Sequence, residues 1–276
     1  MVLFNQLFVL CVLNWINAAA SQAQDGPFLI TFEGPQFESG QTTGRIENPV
    51  QQFNLSDFSV IKAQEIPADN NVPITSSKTS LLRPCSQSHY IVRIAPNTVD
   101  RTLDRGETVG LKIATGPDRQ PLFRSFDLAT ICMGCVFVPA LTQGKDLPEP
   151  LKSDPFSKVV TPASCDITLT GTKYSAPGSN EKTTITATVP FKANAPLSLS
   201  DPMTLRASDM GVYRFSNRWT DLISVEFRIR NVMVETPANV PSRFDQLLRA
   251  GGVFDSLALD NINGTKHPGA GGVAVP

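Results

Sequence analysis

The chain has 276 residues, with 24 Lys and Arg against 25 Asp and Glu, for a formal net charge of −1. Near-neutrality with scattered basic residues lacks the electrostatic footprint of a nucleic-acid binder. An apolar fraction of 41% is enough to bury a core, and the length suits one β domain.

Residues 1–20 carry no charged side chain. Leu7 to Val12 is apolar, and Ala18-Ala19-Ala20 forms a small-residue exit. This is the anatomy of a secretory signal, with cleavage expected after Ala20 or, alternatively, Ala23. The apolar stretch is too short for a membrane span. No second such stretch follows, and Gly269–Pro276 is not a hydrophobic anchor signal. The expectation is a soluble, monomeric protein that is secreted to the extracellular space or cell wall. Residues 1–20 form its signal, 25–265 a β domain and 266–276 a flexible, glycine-rich tail.

Strand signals follow in chain order. Thr31-Phe32-Glu33 closes an apolar run over Phe28–Phe32. Pro35–Arg83 reads as irregular, with one apolar run from Phe53 to Ile61. Weaker strands are expected over Tyr90–Ala95, Val109–Ala114, Leu122–Leu128 and Cys135–Val138. Pro139–Pro162 is a proline-rich loop. Cys165, Ile167, Leu169 and Gly171 alternate with Asp166, Thr168, Thr170 and Thr172, which gives a buried face and a threonine ladder. Ile185, Ala187, Val189 and Phe191 alternate with Thr184, Thr186, Thr188 and Pro190, and the Ser179-Asn180-Glu181 turn makes the two runs a hairpin. A short strand is expected over Met203–Ala207. Ile223, Val225, Phe227 and Ile229 alternate with Ser224, Glu226, Arg228 and Arg230. Such period-2 patterning predicts antiparallel sheets with one wet face. Ser242–Ala250, after Pro241 and before Gly251-Gly252, predicts one short helix. Val253–Ile262 is the last strand. The predicted fold is all-β: a two-sheet antiparallel jelly-roll β-sandwich with one short helix and long loops.

Cys11 leaves with the signal, and Cys85, Cys132, Cys135 and Cys165 remain. An even count in an exported chain points to two disulfides. A zinc reading of the Cys132–Cys135 pair needs more ligands than His89 and His267 supply, and a redox reading needs a βαβ context. The expected bridges are Cys135–Cys165, which ties down the proline-rich excursion, and Cys85–Cys132. The alternative is Cys132–Cys135 with Cys85–Cys165.

The order of these features resembles a group of secreted fungal proteins with a galactose-binding-like jelly roll. The residues that carry it are Thr31-Phe32-Glu33, Phe126-Asp127-Leu128, Gly134-Cys135, Cys165 to Gly171, Trp219 to Phe227 and Leu259-Asp260-Asn261-Ile262. The resemblance covers roughly Phe28 to Ile262 and implies a fold like that of carbohydrate-binding modules.

Jelly-roll modules often hold a structural calcium ion between first and last strands, so Glu33 and Asp260 are the expected metal ligands. Trp219, beside Arg218 and near Tyr213, is the candidate sugar-binding patch, against the alternative that Trp219 packs in the core. Neither His89 nor His267 has a Ser or Asp partner in a recognisable motif, and there is no Gly-x-Ser-x-Gly elbow. Asn54-Leu55-Ser56 and Asn263-Gly264-Thr265 are glycosylation sequons. The expected function is non-catalytic binding of cell-wall or extracellular polysaccharide. The alternatives are a secreted carbohydrate-active enzyme and a structural or effector-like wall protein.

Overall fold

The structure is a computed structural model. It describes residues 26–33, 43–45, 49–55, 58–63, 71–73, 80–86, 88–93, 109–115, 121–139, 147, 149–152, 157, 159–176, 179–194, 204–234, 246–247, 249–250 and 252–268. The signal segment and residues 269–276 of the expected tail lie outside these.

In chain order the strands are β1 (Gly26–Ile30), β2 (Thr43–Arg45), β3 (Phe53–Leu55), β4 (Phe58–Lys62), β5 (Asn71–Pro73), β6 (Leu82–Arg83), β7 (His89–Arg93) and β8 (Val109–Ile113). They continue with β9 (Ser125–Pro139), β10 (Thr161–Tyr174), β11 (Lys182–Phe191), β12 (Thr204–Arg206), β13 (Ser208–Asp209), β14 (Gly211–Arg214), β15 (Leu222–Met233) and β16 (Val253–His267). A helical turn, α1, spans Glu149–Lys152. The described chain is thus nearly all β, as the alternating patterns predict. Most of it belongs to one twelve-stranded sheet network of order β2-β4-β7-β16-β9-β10-β15-β8-β3, with β1 beside β16, β11 beside β10 and β14 beside β9. Two small pairs, β12–β5 and β13–β6, stand apart from it.

The threonine-ladder hairpin forms as the sequence predicts. β10 and β11 pair from Cys165 opposite Phe191 to Tyr174 opposite Lys182, and Ser175 N donates to Glu181 O across the turn. β15 lies on the other side of β10, with Thr168 opposite Arg228 and Thr170 opposite Glu226. Ile167, Leu169, Val225, Phe227 and Ile229 are buried, while the threonines between them stay partly open.

Several expectations are corrected. The two strands expected at Leu122–Leu128 and Cys135–Val138 are one fifteen-residue strand, β9. From Ile131 to Pro139 every residue of it is buried. A strand covered on both faces has no alternation to read. Gly134 is no break: a Cβ there would stand 3.3 Å from Leu82 and from Phe191, so the glycine lets both pack onto the strand. The segment Pro35–Arg83 is not simply irregular, because it supplies β2 to β6. β16 runs past Ile262 to His267, so Lys266 and His267 belong to the sheet, not to a tail. The helix expected at Ser242–Ala250 falls mostly outside the described residues.

One apolar cluster ties the network together. Phe53 packs at 4.8 to 5.1 Å, ring centre to ring centre, from Phe28, Phe123 and Phe126. Lys266 lays its ammonium 5.6 to 6.0 Å from the centres of three of these rings and donates to Gln51 O at 2.8 Å. Burial lowers the pKa of that lysine; the ring faces and the carbonyl offset part of the loss of water.

The cysteines pair as Cys85–Cys132 and Cys135–Cys165, with Cα separations of 6.3 and 6.2 Å. The alternative pairing fails for a simple reason. Residues three apart in a strand point to opposite faces, so Cys132 and Cys135 of β9 cannot meet, either as a disulfide or around one ion.

Candidate functional site

The two chain-end carboxylates do come together. β1 pairs with the end of β16, Ile30 opposite Ile262, and so brings Glu33 towards Asp260. Asp260 lies opposite Cys132 on β9, and the Cys132–Cys85 bridge brings Ser86, next to Cys85 in the chain, beside it. Ser86, Ser88 and His89 close on the acids. Glu33 Oε1 accepts from the Ser88 N–H at 2.6 Å, the His89 N–H at 2.7 Å and the Ser86 hydroxyl at 2.9 Å. Its Oε2 accepts from the Ser88 hydroxyl at 2.8 Å and lies 2.9 Å from His89 Nδ1. Asp260, fully buried, accepts from the Ser86 N–H at 2.6 Å and the Asn261 N–H at 2.8 Å.

Burial pulls the Glu33 carboxyl upward, but the donors from His89 and Ser88 outweigh it and hold its pKa at about 2. Asp260 is raised, first by burial and also by the charge of Glu33, against the Ser86 and Asn261 donors. The donor set does not fit Ca²⁺. The ion needs six to eight oxygen ligands, whereas N–H and O–H groups already point their protons at these carboxylates. The arrangement is a carboxylate clasp on Ser86, Ser88 and His89. Nor is it a Ser–His–acid relay. Ser88 Oγ lies 2.8 Å from the same Nδ1 that faces Glu33, whereas a relay needs the two partners on opposite ring nitrogens.

The aromatic patch is not assembled. Trp219 is 6% exposed and packs on Phe215 with ring centres 4.9 Å apart. A Cβ on Gly171 would stand 3.1 Å from its ring, so the glycine leaves room for the indole over the sheet. A buried indole has no face for a sugar to stack on. The Tyr213 hydroxyl donates to Pro190 O at 2.9 Å, and burial raises its pKa. Arg218 is exposed.

A different surface has the makings of a binding site. Thr168 and Thr170 of β10, Thr188 of β11 and Glu226, Arg228 and Arg230 of β15 line a groove of about 390 Å³. Strand register builds it in rows. Thr188, Thr168 and Arg228 lie side by side across three strands, as do Thr186, Thr170 and Glu226. Thr168 and Thr188 hydroxyls meet at 3.1 Å. Among the described residues no ion pair holds Arg228 or Arg230. Alternation along β10 places Tyr174, 41% exposed, at the end of the same face. The sequence displayed the threonine ladder of β10 and, separately, the polar positions Glu226, Arg228 and Arg230 of β15. What it lacked was the register that sets the two side by side.

Both histidines find acidic partners from distant segments. His89 meets Glu33, and His267 Nε2 lies 2.8 Å from Asp127 Oδ1. Of the sequon asparagines, Asn54 sits on β3 and Asn263 on β16, each half-exposed.

No family model and no curated protein matches the chain. Among solved structures it is similar to a DUF4465 family protein from Bacteroides caccae, at 12% identity and a TM-score of 0.35 over 87% of this chain and 99% of that one.

Proposed function

We propose that this is a secreted β-sandwich protein of jelly-roll type that binds polysaccharide without transforming it, through the groove of Thr168, Thr170, Thr188, Glu226, Arg228 and Arg230. The groove is the observation that carries the reading. Its hydroxyls are donors and acceptors at fixed spacing, and its guanidiniums are planar multi-donor groups. Both suit the vicinal hydroxyls of a glycan chain. A sheet face is rigid, so its donors are oriented before the ligand arrives, which lowers the entropy cost of binding. Tyr174 at the edge offers a ring for stacking. Two disulfides support an extracellular setting. Among the described residues no helix is long and apolar enough to cross a membrane.

Affinity electrophoresis in gels containing neutral or uronic-acid polysaccharides tests the proposal. Retardation by at least one polysaccharide is expected, and the Arg228→Ala/Arg230→Ala variant should lose about tenfold or more in affinity while melting like the wild type. No retardation in any gel, or equal retardation of the double variant, overturns it.

A further inference from the structure

At the end of the molecule where β16 finishes, three side chains from three elements converge. Asp127 projects from β9, Asp221 lies in the turn before β15, and His267 is the last residue of β16. One ligand atom from each lies within 4.8 Å of the other two. We propose that these residues form a binding site for a divalent transition-metal ion of the zinc class.

The chemistry of the donors selects the ion. An imidazole nitrogen with two carboxylate oxygens suits Zn²⁺ and its neighbours, whereas Ca²⁺ and Mg²⁺ want oxygen alone. Two carboxylates also balance the charge of one divalent cation. Tetrahedral zinc with bonds of roughly 2.0–2.2 Å holds its ligand atoms about 3.5 Å apart. The three atoms therefore need only a modest inward movement. His267 Nε2 already faces Asp127 Oδ1 at 2.8 Å, and zinc would replace the proton that this contact shares.

The surroundings hold the ligands in place. The Asp221 N–H donates to Asp127 Oδ1 at 3.0 Å, and the Ser125 hydroxyl donates to Asp221 Oδ1 at 3.2 Å. Ser125 is itself opposite His267 in the β9–β16 register. Such outer contacts orient metal ligands. The side chains of His267 and Asp127 are 35% and 31% exposed, so an ion reaches them from solvent. Three protein ligands leave a fourth position for water or a ligand oxygen. The bound ion would join the end of the last strand to β9 and to the start of β15.

The test uses the secreted, disulfide-bonded chain made without a polyhistidine tag. Titration calorimetry with zinc chloride should show one ion per chain, and cobalt should give a visible absorption band typical of nitrogen and oxygen ligands. Zinc should raise the melting temperature, and a chelator should reverse the rise. Millimolar calcium or magnesium should not displace the ion. His267→Gln and Asp221→Asn should each weaken zinc binding at least tenfold and abolish the thermal response, while Glu226→Gln keeps both. The chain has only one other histidine, His89, whose side chain is 5% exposed. No saturable binding at millimolar zinc overturns the proposal, as does unchanged affinity in both ligand variants with native circular dichroism. Neither result bears on the threonine–arginine groove.

Discussion

Glu33 shows how one side chain gathers several donors. Its carboxylate meets two backbone N–H groups, two hydroxyls and an imidazole in a part-buried setting. An unmet buried donor costs about 1–3 kcal/mol. Because the folded pKa lies at about 2, below the ordinary 4.5, Glu33 contributes stability that is complete above pH 4.5. That contribution is lost as pH falls from 4.5 towards 2. Asp260, whose pKa is raised, acts with the opposite sign and gains from protonation. The wild type should therefore lose urea resistance over this acid range relative to Glu33→Gln, although it is the more stable of the two near neutrality. Parallel stability–pH curves would show that the clasp is not held by charge. The same geometry predicts that calcium leaves the clasp unchanged, so thermal melts of His267→Gln with calcium and with a chelator should coincide.

At the scale of elements, β15 alternates from Val225 to Arg230 between a buried and a more open face. Val225 is fully buried, whereas Glu226 lines the groove. Val225→Asp places an unpaired carboxylate in the core, at a cost of several kcal/mol against a total stability of roughly 5–15 kcal/mol. Secretion of folded protein should fail. Glu226→Ala should stay within about 0.5 kcal/mol of the wild type. Comparable secreted yields of the two variants would mean that the faces are reversed. β9 and β10 are joined in a second way, by Cys135–Cys165 over a sequence separation of 30 residues. Replacing both cysteines by serine should cost about 3–4 kcal/mol in the chain-entropy account. Chemical denaturation would register the loss, and peptide mapping without reductant should find no fragment joining Cys132 to Cys135.

At the scale of the whole molecule, closure depends on the chain ends. Gly26 lies opposite Lys266, and β1 finds its pairing partner among the described residues only in β16. A chain stopped after Asp260 loses that pairing together with the lysine over the phenylalanine cluster. It should show no cooperative melting transition in calorimetry; a sharp transition near the wild-type temperature would mean that the sheet holds without its last strand pair.

Much was legible in the sequence where one face of a strand is wet. Ile167 to Thr172 and Val225 to Arg230 announce their strands by alternation, because each second residue meets water. Cysteine count and the expected export implied two bridges, and the jelly-roll resemblance implied that the strands carrying Glu33 and Asp260 meet. Tertiary structure alone decided the rest. From Ile131 to Pro139 β9 is covered on both faces, so that stretch has no period to read. Between the two sequence readings of Trp219, packing over Gly171 selects the core one. The partners of His267 lie 46 and 140 positions away, brought together by the strand register and the turn before β15. Local sequence specifies which face of a strand is apolar; which strands lie side by side, and so which polar groups meet, follows from how the whole network closes.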